Sequence, residues 1–296
     1  QATGSTVANQ AYTDGQMLKP KESGTGCIFS KTAQTITFNL SSAGATTETV
    51  SIIYTAQIAT ANEKSKTLQP MAQLAISEAG GSTTSGGVYG TNYKDEDICL
   101  NKADIFKVRA IYMAPNATDA ADAPTMTYSS ASGANITTGE IFQPGEKITG
   151  SNGAIARIIS GGSAGSATAT ASFAYLTTKT FTNGTELTSS QNTFSYKLTI
   201  TAVTAGDENI LSNYTVDTGM RDTYYDLGSI TRKAGESPPT GKLLIVFDYF
   251  THGAGNYFSV DSYPVGTSTT SITYDEIPLY SAQRVDPDVI SPTGEY

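Results

Sequence analysis

Polar and apolar residues alternate at period two through much of this chain. Gln34-Thr-Ile-Thr-Phe-Asn-Leu40, Asp104-Ile-Phe-Lys-Val-Arg-Ala-Ile-Tyr112 and Phe194-Ser-Tyr-Lys-Leu-Thr-Ile-Thr-Ala-Val203 each send successive side chains to opposite faces, which predicts strands. In the second of these, Lys107 and Arg109 suit an outer, solvated face. Thr49 to Ile58 is a longer β-rich run, and Leu68 to Ser77 is a further apolar segment of strand character. Gly241-Lys-Leu-Leu-Ile-Val-Phe-Asp-Tyr-Phe250 breaks the alternation. It is an almost unbroken β-branched and aromatic run between Pro-Pro-Thr-Gly and His-Gly-Ala-Gly, and it predicts a strand buried on both faces. A turn and a second short strand at Tyr257-Phe-Ser-Val260 are expected to follow. No long helical pattern exists; Asp207 to Leu211 and Arg221 to Leu227 are the best short helical segments, the latter with Asp217 or Thr218 as a cap.

The same pattern divides the chain. Residues 1–26 are Gly, Thr, Ser and Lys without periodicity and read as an extended arm or linker. Residues 27–115 form a β-rich region. Ala114 to Gly133, full of Ala, Asp, Pro and Ser, reads as a boundary or long loop. Residues 134–203 hold a near-repeat, in which Phe142-Gln-Pro-Gly-Glu-Lys-Ile-Thr-Gly and Phe181-Thr-Asn-Gly-Thr-Glu-Leu-Thr-Ser lie 39 residues apart. Two copies are too few for a solenoid and fit a small barrel or sandwich with two similar hairpins, Gly145 and Gly184 taking the turn positions. Residues 204–296 form a C-terminal β-module. The expected class is all-β: several small sandwich-like or barrel-like domains with short linkers and little helix. A chain that opens on Gln1 and stops at Gly294-Glu-Tyr296 reads as a portion of a longer polypeptide.

Composition narrows the function classes. The 296 residues are 38% hydrophobic and only 15% charged, too little charge for a disordered solvating chain. A net charge of −9 without any basic stripe speaks against a nucleic-acid partner, because phosphate neutralisation needs clustered Lys and Arg. No apolar run reaches the roughly 18 residues of a membrane-spanning helix. Cys27 and Cys99 are too few for a disulfide scaffold and too far apart for a metal knuckle; two buried thiols, or one bridge closing a long loop, both fit.

Candidate chemistry is sparse. His252 is the only histidine, so a Ser-His-Asp triad would have to draw on it with Ser259 and Asp248 or Asp261, yet no G-x-S-x-G elbow is present. A turn histidine bonded to backbone beside Gly253 is the plainer reading. One His and two distant Cys cannot close a zinc tetrahedron. Gly235-Glu-Ser-Pro-Pro-Thr-Gly-Lys242 has the wrong spacing for a phosphate loop, and its prolines remove amides that would cradle phosphate. Asp248, Asp261, Asp275, Glu276, Asp286 and Asp288 crowd the C-terminal third, but a glycosidase also favours Trp platforms and the chain has no Trp. Asp95-Glu-Asp97 lacks the ligand run and turn glycine of a calcium loop and reads as a solvated acidic turn. These residues predict no enzyme, no catalytic or metal site and no cofactor.

Three segments carry a family resemblance: Arg221-Asp-Thr-Tyr-Tyr-Asp-Leu-Gly228, Pro239-Thr-Gly-Lys-Leu-Leu-Ile-Val-Phe-Asp-Tyr-Phe250 and Gly255-Asn-Tyr-Phe-Ser-Val-Asp-Ser-Tyr263. Together with Tyr274-Asp-Glu-Ile-Pro278 and Pro144-Gly-Glu-Lys-Ile-Thr-Gly-Ser-Asn-Gly-Ala154, they resemble tail structural proteins of T4-like contractile-tailed bacteriophages of marine bacteria. The resemblance covers about residues 140–296, and residues 27–112 only in general texture. It implies a virion structural protein of baseplate or tail-fibre type, located in the particle, with other tail proteins as partners and no functional residue set to carry over. A fibre-like part would be a homotrimer, whereas a baseplate wedge protein sits in unlike environments. Exposed strand edges completed by neighbouring chains are the expected contact mode. A bacterial surface fibre or adhesin subunit, and a tail module that binds or cleaves host glycan, are the alternatives from other classes.

Overall fold

The computed structural model describes residues 60–77, 92–130, 133–191 and 197–278, together with the backbone of strand residues 2–3, 28–32, 35–39 and 49–50. The chain forms two compact units, residues 1–60 and 61–296. In the first, β1 (Ala2–Thr3) pairs with β4 (Thr49–Val50), and β2 (Ile28–Thr32) forms a hairpin with β3 (Thr35–Asn39). The expected run from Ser51 to Ile58 and the loop 80–87 lie outside the described residues.

The second unit is all-β. Among the described residues no helix exceeds the three-residue 3-10 turns at Thr138–Glu140, Leu211–Asn213, Val260–Ser262 and Tyr274–Glu276. Its strands are β5 (Lys66–Ile76), β6 (Asp97–Ala103), β7 (Ile105–Met113), β8 (Thr125–Ser130), β9 (Lys147–Gly150), β10 (Ile155–Ser160), β11 (Thr168–Tyr175), β12 (Glu186–Ser189), β13 (Leu198–Thr204), β14 (Glu208–Asn209), β15 (Tyr214–Asp217), β16 (Leu227–Arg232) and β17 (Leu243–His252). They build a four-stranded sheet β14-β7-β17-β5, a three-stranded sheet β15-β16-β6 and a closed six-stranded barrel. β17 hydrogen-bonds to β5 on one side and β7 on the other, so strands from 204–296 complete sheets begun in 66–113. The barrel is an insertion between β7 and β14.

Three layers result. Ile98 and Leu100 of β6 and Ile230 of β16 pack against Ile111 of β7 and Ile245 and Phe247 of β17, which makes the two open sheets a sandwich. The opposite face of the four-stranded sheet, with Ala110, Tyr112 and Val246, meets Ile159 and Ala174 of the barrel. β17 therefore lies at the centre with both faces covered, which is why its sequence is apolar without alternation. Fully burying each of its large apolar side chains is worth roughly 1.5–3 kcal/mol.

The barrel explains the near-repeat. β9 and β12 pair antiparallel about Thr149 and Thr188, with Ile148 opposite Ser189 and Gly150 opposite Leu187, so the two copies are related by a local two-fold axis. Gly145 N–H donates to Ile158 O and Gly184 N–H to Ile200 O, both at 2.8 Å, and both glycines hold a φ of +82°. Gly145 is doubly required, since a Cβ there would also come within 2.7 Å of Pro70 on β5. Phe142 and Phe181 fill equivalent places in the barrel core, and β10 and β13 each carry an irregularity one residue beyond the equivalent isoleucines Ile158 and Ile200.

Several expectations change. β8, whose Met126 and Tyr128 are wholly buried, lies inside the segment read as a linker; its six-residue alternation was hidden by flanking Ala, Asp and Pro. Arg221 to Leu227 is no helix but a loop closed by a bridge between Met220 and Tyr225. Asp207 to Leu211 supplies β14 and enters a 3-10 turn. Tyr257 to Val260 makes one bridge, Tyr257 with Glu63, and then a 3-10 turn in which the Ser259 hydroxyl accepts from Asp261 N–H. Arg109 does not face open solvent, since its side chain is 12% exposed and bonds Asp248, while Lys107, 38% exposed, pairs with Glu276 at 2.5 Å.

Candidate functional site

Lys66, the first residue of β5, points its ammonium into an aromatic box. The neighbours come from four places in the chain. Asp104 occupies the single-residue break between β6 and β7, with a φ of +54° that turns its carboxylate inward. Tyr225 comes from the loop between β15 and β16, Phe250 and His252 from the end of β17, and Phe258 and Tyr263 from the turn that follows. His252 is the cross-strand partner of Lys66, so pairing of the two strands places both at one end of the sandwich.

The ammonium donates to Asp104 Oδ2 at 2.6 Å, the Tyr225 hydroxyl at 2.7 Å and the Tyr263 hydroxyl at 3.0 Å. An ammonium has three N–H bonds, and here all three are used. The rings of Tyr225 and Tyr263 have centroids 4.3 and 4.4 Å from Nζ, with Phe258 at 4.9 Å and Phe250 at 5.4 Å, so several π faces share the charge. The Lys66 side chain is 0% exposed and that of Asp104 4%. His252 Nε2 lies 2.6 Å from the same Asp104 Oδ2, and its ring meets Tyr225 and Phe258 edge-on.

The electrostatics favour a locked ion pair. Burial alone would push the Lys66 ammonium down, but the charge of Asp104 and hydrogen bonds to Asp104, Tyr225 and Tyr263 outweigh it and leave the pKa raised. The Tyr225 phenol is pushed up to about 12, chiefly by burial, with its bond to Lys66 opposing. A lysine held as a saturated cation is a poor nucleophile. The arrangement instead ties five segments together, β5 and the four that surround Lys66.

His252 thus has a carboxylate partner, Asp104, and not the turn backbone. Two of the triad candidates are engaged elsewhere, Asp248 with Arg109 and Ser259 with Glu63 through its hydroxyl, while Asp261 gives its backbone N–H to the Ser259 hydroxyl. Asp248 has a structural task. One of its oxygens accepts from Met71 N–H at 2.8 Å, where β5 bulges with Met71 at a φ of +54°, and the other accepts from Arg109. Glu276 bonds Lys107 and the backbone of Thr273; burial tends to raise it, but these bonds prevail and hold it at about 2. Asp97 accepts from the Thr231 hydroxyl across β6 and β16, and Asp95 from Asn92 N–H. No group of three or more His, Cys, Asp or Glu among the described residues is arranged to hold a metal ion. Asp286, Asp288 and Cys27 lie outside the described residues, and Cys99 Sγ on β6 accepts from Asn101 N–H.

One side of the box opens to a cleft of about 640 Å³ between the loop 220–225 and the turn 252–258, with Tyr224, Tyr257, Arg221, Asp222, Asn256 and His252 in its lining. Sequence reading placed none of Lys66, Asp104, Tyr225 and Tyr263 in a site, because they stand 38 to 197 residues apart in pairwise contact with Lys66 and share no motif. The density of aromatic residues over 224–263 around the only histidine is the signal that could have found them.

No family model, no curated protein and no solved structure matches the chain. The fold and site define the class: an all-β protein whose second unit, among the described residues, is a seven-stranded sandwich with an inserted six-stranded barrel and a Lys66–Asp104–His252 cluster at one end of the sandwich.

Proposed function

We propose that this chain is a structural component of a bacteriophage tail, of baseplate or tail-fibre type, acting through contacts with other virion proteins. One observation carries the reading. Tyr225, Phe250, Phe258 and Tyr263 all come from the segments that resemble the phage tail family, and all of them close around Lys66. Those segments thus meet in a clamp whose ammonium has all three of its hydrogen bonds spent internally, an arrangement that suits a part under mechanical load. Barrel and sandwich packed through a shared apolar layer support the same role, and strand edges offer neighbours a backbone ladder. The partners are other tail or baseplate proteins, with a homotrimer as the arrangement for a fibre-like part.

The test is electron microscopy of particles produced from a genome carrying this gene, labelled with antibody raised against residues 61–296. Gold on the tail or baseplate is expected. Particles that lack the protein while the infected cells contain it overturn the proposal.

A further inference from the structure

The geometry points to a second role for the cleft beside the clamp: we propose that it is a binding site for a neutral carbohydrate of one or two sugar units. This goes beyond the structural role and stands whether or not the chain belongs to a tail.

Folding leaves two aromatic side chains uncovered. Tyr224 is 60% and Tyr257 47% exposed, and both line the cleft from opposite banks. An aromatic ring left in water keeps a flat apolar face that a ligand can cover, while its hydroxyl stays wet. The space of about 640 Å³ lies inside the range of roughly 300–1,000 Å³ typical of small-molecule sites. A pyranose has the matching form, with C–H faces that stack on rings and a rim of hydroxyls that each donate and accept.

The rim of the cleft supplies both kinds of partner. Asp222 is exposed and offers acceptors. Asn256 uses its Oδ1 to accept from Asn62 N–H, which leaves its NH₂ as a donor. Lys64, with its ammonium 5.2 Å from the Phe258 ring centroid, adds donors. His252, 24% exposed at the base, has its Nε2 held by Asp104 and keeps a second ring nitrogen.

The walls are fixed in advance. Arg221 grips Asp217 through both terminal nitrogens at 3.0 and 2.8 Å, and Asp226 N–H bonds Gly219 O at 2.7 Å, which holds the loop that presents Tyr224. The saturated clamp lies under Tyr225 and His252. A site ordered before binding loses little entropy when the ligand arrives.

Other ligand classes fit less well. A peptide strand needs free backbone groups along one edge, and three lining amides are already engaged, Arg221 with Tyr224 O, Lys64 with Tyr257 O and Asn256 with Asn62 O. A phosphate ligand would meet Asp222 at the rim and a chain of net charge −9.

Saturation-transfer NMR on the full chain tests the site, using glucose, galactose, mannose, N-acetylglucosamine, N-acetylgalactosamine and lactose as probes. Saturation of the ring protons of at least one sugar is expected. Its affinity should fall roughly tenfold in each of Tyr224→Ala and Tyr257→Ala, the loss of one stacking face. Both tyrosines are exposed, so an unchanged urea midpoint will show that the variants fold. No transfer to any probe overturns the proposal, as does transfer that survives in the double variant. Either failure leaves the particle-labelling result untouched, and the two readings fall separately.

Discussion

Lys66→Met keeps the stem of the side chain and deletes the ammonium, so it isolates what the clamp contributes. The variant leaves the Asp104 carboxylate, 4% exposed, with His252 alone, and leaves the hydroxyls of Tyr225 and Tyr263 without their donor. At 2.6 Å and an effective dielectric of about 20, the lost attraction is about 6 kcal/mol before any compensation. Relief from desolvating the ammonium offsets part of this, and the expected net loss is about 3–5 kcal/mol, the range for breaking one side of a buried pair. Urea unfolding of the full chain measures it, followed by tyrosine emission, since the protein has 17 Tyr and no Trp. The midpoint should fall while the slope stays constant. The double variant Lys66→Met/Asp104→Leu removes both charges and should recover most of the loss, ending within about 1 kcal/mol of wild type. The sign with pH follows from the raised lysine pKa: the contribution is complete below the unfolded value near about 10.4 and is lost as pH rises through the higher folded value. Wild type should therefore lose its advantage over Lys66→Met only in strongly alkaline urea titrations. A single variant within about 1 kcal/mol of wild type, or a double variant no better than the single, would refute the clamp.

Phe142→Ala and Phe181→Ala occupy two-fold-related places in one core and should each cost about 3–5 kcal/mol; losses differing by more than about 2 kcal/mol would contradict the equivalence of the half-barrels. Gly161→Ala puts a Cβ 2.0 Å from the backbone oxygen of Phe142, so it should destabilise the protein by about 1–3 kcal/mol, read as a lower thermal midpoint. Glu276 should titrate at about 2 by carboxyl-carbon NMR, and Lys107→Met should move it toward the ordinary range. Its depressed pKa means the stabilisation is present above the unfolded value and is lost as pH falls toward 2, so an ordinary pKa in wild type would sink the Lys107–Glu276 pair.

The strands were largely legible because their signal is local. Alternation marked β7 and most of β13, and the unbroken run at Gly241–Phe250 announced a strand covered on both sides, as β17 is. The two Phe-x-x-Gly copies announced similar hairpins, and Gly145 and Gly184 do take positive φ. What stayed hidden is set by tertiary contact. Nothing local tells Arg109 that it will be buried against Asp248, or tells β8 that Met126 and Tyr128 will line a barrel core. The clamp was least legible. His252 finds Asp104 across 148 residues, and the carboxylate closest to it in sequence, Asp248, goes instead to the bulge at Met71.

Cross-linking mass spectrometry on intact particles addresses the central claim most directly, because it reads which chains this one touches. Cross-links are expected from lysines of residues 61–296, such as Lys102, Lys179 and Lys197, to other tail or baseplate proteins. Their absence from particles in which known tail proteins cross-link to one another, with this chain recovered only in the soluble fraction, would contradict that claim.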